Sequence, residues 1–158
     1  MDLIIGASGN VDDLASTAAR LRAQSGGQVL FLDAGKIVGE DHLRSALLHD
    51  RRAVGNNTSS CELLSLEVLV YASGEKQISR AKEKMDPVPG GMLAIVIIDA
   101  QREPVLDREG LHREPKALMP TLNKALAFGL TPTEIEAAGG DWLNLALEKV
   151  AMVEVLKR

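Results

Sequence analysis

The chain has 158 residues, 46% of them hydrophobic and 25% charged, with a formal net charge of −4. Leu, Ile, Val and Phe make up about 28%, which excludes a disordered chain and fits one domain spanning residues 1–158. No apolar run reaches the roughly 18–20 residues of a membrane span, the first six residues lack the basic flank of a signal peptide, and the single cysteine, Cys61, makes no internal disulfide; a cytoplasmic protein is expected. In chain order, Leu3-Ile4-Ile5 reads as a short buried strand, and Val11, Leu14, Ala15, Ala18, Leu21 and Arg22 recur at helical spacing behind a cap at Asn10. That helix stops at Gly26-Gly27, Gln28 to Leu32 reads as a second strand, and Lys36-Ile37-Val38 as a small strand-like piece. A long helix then runs from Glu40 and Asp41, whose charges suit a helix start, to Arg51 and Arg52, whose charges suit its end. Its buried face is read as Leu43, Ala46, Leu47 and Val54.

Ser59 and Glu62 form a capping-box pattern before the apolar run 63–72, which favours a buried helix ended by Gly74. A shorter helix spans Glu75 to Met85. Met92 to Ile98, bounded by Pro-Gly-Gly and Asp99, is the strongest strand in the chain. The polar stretch 99–116 carries one short strand around Val105. Pro120 suits the first turn of a helix running to Phe128, with Gly129 as its stop. Thr131-Pro132-Thr133-Glu134 combines cap, proline and box for a short helix, and Asp141 caps a last one from Trp142 to about Leu156. Few strands scattered among many helices predict an α/β domain: a small mixed β-sheet packed with several α-helices.

Gly6-Ala7-Ser8-Gly9 follows a strand, precedes a helix and has Asp33 at the end of the next strand, the layout of a dinucleotide-binding turn. Against it, Asp12 stands where a third glycine belongs, and Asp12 with Asp13 puts two negative charges where phosphates would sit. Continued β–α alternation is also missing over residues 41–86. A tight strand–helix turn capped by Asn10 or Asp12 is the plainer reading. A nucleotide-binding protein using this turn stays as the alternative function.

Elsewhere, His42 and His49 are seven residues apart, not the four of a helical zinc pair, and His112 sits in a polar loop. No metal, cofactor or catalytic residue is expected, and Cys61 reads as structural. Only four aromatics (Phe31, Tyr71, Phe128, Trp142) are present to stack bases. Charge is more informative. Residues 1–40 and 87–158 each carry a net −2, whereas residues 41–86 are neutral, with positive charge bunched at Arg51-Arg52 and at Lys76, Arg80, Lys82 and Lys84. Lys76, Arg80 and Lys84, spaced by four, would form one helical stripe able to track phosphates.

Three segments carry a family resemblance: Gly39 to Ala46, Arg51-Arg52-Ala53, and Leu66 to Ala81. The last reads Leu-Glu-Val-Leu-Val-Tyr-Ala-Ser-Gly-Glu-Lys-Gln-Ile-Ser-Arg-Ala, and its E-x-L-x-Y-x-S-G-x-[KR]-Q-I-x-x-A core is the most specific part. The chain resembles the kinase-binding regulatory subunit of the KEOPS complex, a family that includes the eukaryotic PRPK-binding protein, and its short length looks archaeal. The resemblance implies a non-catalytic subunit of the machinery that makes threonylcarbamoyladenosine in tRNA. Such a subunit docks on the amino lobe of the KEOPS kinase/ATPase subunit, stimulates it, and binds the 3′ CCA end of tRNA. It implies that Lys76 and Arg80, supported by Arg51 and Arg52, contact phosphates, with Gln77 and Asn57 near the terminal bases. Lys76 stands where relatives often carry arginine, which keeps the charge without the planar fork. Finally, the last helix holds more apolar surface than one buried stripe needs. Met152, Val155 and Leu156 are assigned to the kinase docking surface, with Val150 and Leu147 turned to the core. The competing reading makes residues 151–156 a buried edge strand.

Overall fold

Leu93–Ile98 is apolar at every position, and all six residues are buried. Alternate side chains enter different cores: Ala94, Val96 and Ile98 join one apolar cluster, Leu93, Ile95 and Ile97 the other. A strand buried on both faces reads as a continuous apolar run rather than an alternating one. It is β3 of a four-stranded sheet in a computed structural model that describes residues 1–9, 11–55 and 64–156. The other strands are β1 (Leu3–Gly9), β2 (Gln28–Asp33) and β4 (Leu111–Arg113), in the order β2-β3-β1-β4.

The domain is α/β, but its sheet is antiparallel where a mixed one was expected. Leu3 pairs with Ile97, Gln28 with Ile98, and Ala7 with Arg113, each in an antiparallel register. β1 and β2 run the same way, but β3 lies between them. One face packs against α1 (Leu14–Ser25) through Leu21, together with Leu106 and Leu111. The other packs against α2 (Glu40–Gly55), α3 (Leu64–Ser73), α4 (Ile78–Met85) and α7 (Trp142–Leu156). A third cluster holds α5 (Leu122–Phe128) and α6 (Pro132–Ala137) against the start of α7, through Val38, Phe128, Leu130 and Ala146.

The helix ends follow local rules. Gly26 caps α1 at φ 78°, and Asp141 accepts the Asn144 N–H at 3.1 Å at the start of α7. The Thr131–Glu134 capping box forms as its spacing requires. The Asn10 cap, the Ser59–Glu62 box and Cys61 lie outside the described residues.

Several local readings are corrected. The Gly6-Ala7-Ser8-Gly9 segment is not a turn. It lies inside β1, with Gly6 paired to Ala94 and Ser8 to His112. Gly6 is glycine for a packing reason: a Cβ there would sit 2.5 Å from the Glu114 carbonyl oxygen. The Glu114 N–H also donates to the Gly6 carbonyl at 2.8 Å. The cap of α1 is Asp13, whose carboxylate accepts the Ser16 N–H, not Asp12. The proposed nucleotide cradle therefore lacks the glycine turn that would bring backbone N–H groups onto a phosphate.

Lys36-Ile37-Val38 is not a strand either. Asp33 accepts the Gly35 N–H at 2.9 Å and starts a 3₁₀ turn over Ala34–Lys36, and Ile37 and Val38 are β-branched to fill the core. The strand expected around Val105 is displaced to Leu111–Arg113, because the Gln24 side chain takes the Val105 N–H at 2.8 Å and ties that residue to α1. On α2, Ala53 is buried and Val54 is 45% exposed. Pro120 precedes α5, whose cap is Thr121.

Candidate nucleic-acid interface

The signature segment Leu66–Ala81 divides by burial. On α3, residues 67–73 are all buried between α2, α7 and the sheet. Ser73 closes the helix: its hydroxyl donates to the Val70 carbonyl at 2.8 Å and accepts the Glu75 N–H at 3.0 Å. Gly74, at φ 74°, turns the chain in the left-handed region that favours glycine. Residues 76–80 are exposed, and Ala81 and Met85 then bury the inner face of α4.

Gln77 is the N-cap of α4, so the helix begins at Ile78 rather than Glu75. Lys76 and Gln77 stand on the turn, and Arg80 on the first turn of α4. These three exposed side chains lie within five residues of one another and form no hydrogen bond or ion pair with described residues. The expected Lys76–Arg80–Lys84 helical stripe does not form. Lys76 precedes the helix, and the Lys84 ammonium turns inward, donating to the Ser73 carbonyl at 2.7 Å and lying 4.2 Å from the centre of the Phe128 ring. Burial pulls the Lys84 pKa down, against Glu75, with Lys36 and Lys149 adding to the downward push. These two lysines, missed by the spacing argument, approach from the 3₁₀ turn after β2 and from α7.

Arg51 and Arg52 sit elsewhere. His42, at the start of α2, bonds the Ala72 carbonyl at the end of α3, beside the turn that carries Lys76. Arg51 lies nine residues beyond His42, roughly 14 Å along the helix. Arg51 and Arg52 therefore do not join Lys76, Gln77 and Arg80 in one patch. Arg51 is also engaged: it bridges Asp2 at 2.8 Å and Asp99 at 2.7 Å, pinning α2 to the ends of β1 and β3. The Asp99 hydrogen bond, opposed by partial burial and aided by Asp2, raises its pKa. Arg52 is exposed. Asn57 lies outside the described residues.

The two helical histidines are core residues. The Val38 N–H donates to His42 Nδ1 at 3.0 Å and His42 Nε2–H donates to the Ala72 carbonyl at 2.7 Å. Burial brings the His42 pKa down to about 4, against the Ala72 hydrogen bond and helped by Lys84. His49 stacks on Tyr71 with ring centres 5.4 Å apart, and burial lowers its pKa as well. No group of three His, Cys, Asp or Glu side chains among the described residues is placed to hold a metal ion.

α7 remains helical through Leu156, so the edge-strand reading is overturned. Val150 and Val153 are buried and Leu147 half-buried, while Met152, Val155 and Leu156 are 47%, 55% and 47% exposed. No helix among the described residues is long and apolar enough to cross a membrane. The chain matches no protein-family model and no curated protein.

Proposed function

We propose that the chain is the non-catalytic, kinase-binding subunit of a KEOPS complex of the archaeal type, acting in the cytoplasm. It binds and stimulates the kinase/ATPase subunit and recruits tRNA through its 3′ CCA end for threonylcarbamoyladenosine modification. The observation that carries this reading is the division of the signature segment. Packing accounts for its buried half, Glu67 to Ser73, but not for the run Lys76-Gln77-Ile78-Ser79-Arg80, which is exposed on a braced turn. Two cations there reach phosphates, and Gln77 between them offers both donors and acceptors to a base edge. Arg52, at the far end of α2, is a separate and more distant contact. At a second surface, the exposed end of α7 supplies the apolar residues that meet the kinase amino lobe.

The test is a gel shift of the chain with whole tRNA and with tRNA lacking its CCA end. Binding of the first and loss of the second is expected. Lys76→Glu with Arg80→Glu is expected to abolish binding in a protein that still folds, since both side chains are exposed. Unchanged binding in that double variant removes the phosphate assignment.

A further inference from the structure

A helix leaves its last carbonyls without intrahelical donors, and a cation near that end is favoured. Lys84 supplies one to α3 from a separate helix, eleven residues beyond Ser73, and its stem carries the ammonium across the Phe128 ring. The brace is itself braced: Lys36 donates to the Lys84 carbonyl at 2.6 Å. The turn of residues 74–77 is thus clamped, through Lys84, to both the helix that precedes it and the helix that follows it. We infer that Lys84 is a positioning residue for the exposed Lys76–Gln77–Arg80 surface: its ammonium fixes the α3–α4 turn through the Ser73 carbonyl and does not contact the ligand's phosphates. This inference rests on the tRNA reading above.

The two roles leave different traces. A phosphate contact adds affinity and a share of the salt dependence, about −0.7 in the slope of log K against log[salt] for a single strand. A brace adds affinity through preorganisation and leaves the slope alone. Lys84→Met keeps the apolar stem over Phe128 and removes the donor. The variant is expected to fold as judged by circular dichroism, to exchange its amides faster over residues 74–78, and to bind tRNA roughly tenfold more weakly with the wild-type salt slope. Lys76→Met, in the same titration, is expected to flatten the slope by about 0.7. If Lys84→Met does not fold, the polar Lys84→Gln is read in the same way. Wild-type affinity in the Lys84 variant, or a slope flattened as in Lys76→Met, overturns the inference while the tRNA reading stands. A wild-type chain that binds no tRNA overturns both.

Discussion

His42 is held between two backbone groups that together admit one tautomer, Nδ1 accepting and Nε2 protonated. A proton added at Nδ1 would break the Val38 bond and bury a charge. The folded-state pKa of about 4 lies below the ordinary 6.5. The unfolded chain therefore binds more protons between those values, and stability rises with pH across the window. The contribution is complete above about 6.5 and is lost as the pH falls toward 4, with a magnitude on the order of 3 kcal/mol. Urea unfolding at pH 7 and at pH 4.5 is expected to show this difference, and His42→Gln to shrink it. An equal pH dependence in the variant would assign the effect to other groups. The same two contacts make His42 a tie between the segment entering α2 and the exit of α3, next to the turn that carries Lys76.

Among the elements, α6 is only six residues long and contains no fully buried side chain. Its existence depends on its ends. Thr131 and Glu134 close the capping box, and Glu134 also meets the Lys149 ammonium at 3.0 Å, fastening α6 to α7. The Lys149 hydrogen bond, then that of Thr131, lowers the Glu134 pKa, so this fastening holds above the ordinary carboxylate range and is released as acid protonates it. Thr131→Ala is expected to lower stability by about 1 kcal/mol, measured by urea denaturation at neutral pH. Elements punctuated like this one were legible in the sequence: α6 from Thr-Pro-Thr-Glu, α7 from Asp141, β3 from Pro-Gly-Gly and an unbroken apolar run. The illegible parts were settled by residues far along the chain. Gly6 imitated a phosphate turn because its constraint is the carbonyl of Glu114. Ile37 and Val38 imitated a strand because tertiary burial selects the same β-branched residues as pairing does. The placement of the candidate residues was legible in part for the same reason. Lys76, Gln77 and Arg80 stay together because they are neighbours in sequence, whereas the roles of Arg51 and Lys84 were decided by Asp2, Asp99, Ser73 and Phe128.

At the scale of the molecule, two exposed surfaces of the described residues carry the proposed function. One is the α3–α4 turn. The other is the end of α7, where Met152, Val155 and Leu156 are exposed, with Leu48 and Val54 of the adjoining α2 also exposed. Met152→Asp with Val155→Asp is expected to leave unfolding by urea within about 1 kcal/mol of wild type, because neither side chain is in the core. On the function proposed above, the same variant is expected to lose co-purification with a KEOPS kinase subunit while keeping tRNA binding. Normal co-purification would remove the assignment of Met152, Val155 and Leu156 to a docking surface. The sheet order also bears on how the chain is made. β1 finds its partners only at Leu93–Ile98 and Leu111–Arg113, and β2 pairs with β3. At about 5–20 residues per second, β1 is synthesised roughly 5–20 s before β3. Until then Leu3-Ile4-Ile5 and Val29-Leu30-Phe31 have none of their sheet partners. Arrival of β3 joins both waiting strands at once, so a fragment ending before residue 93 leaves the edges of both apolar strands unpaired.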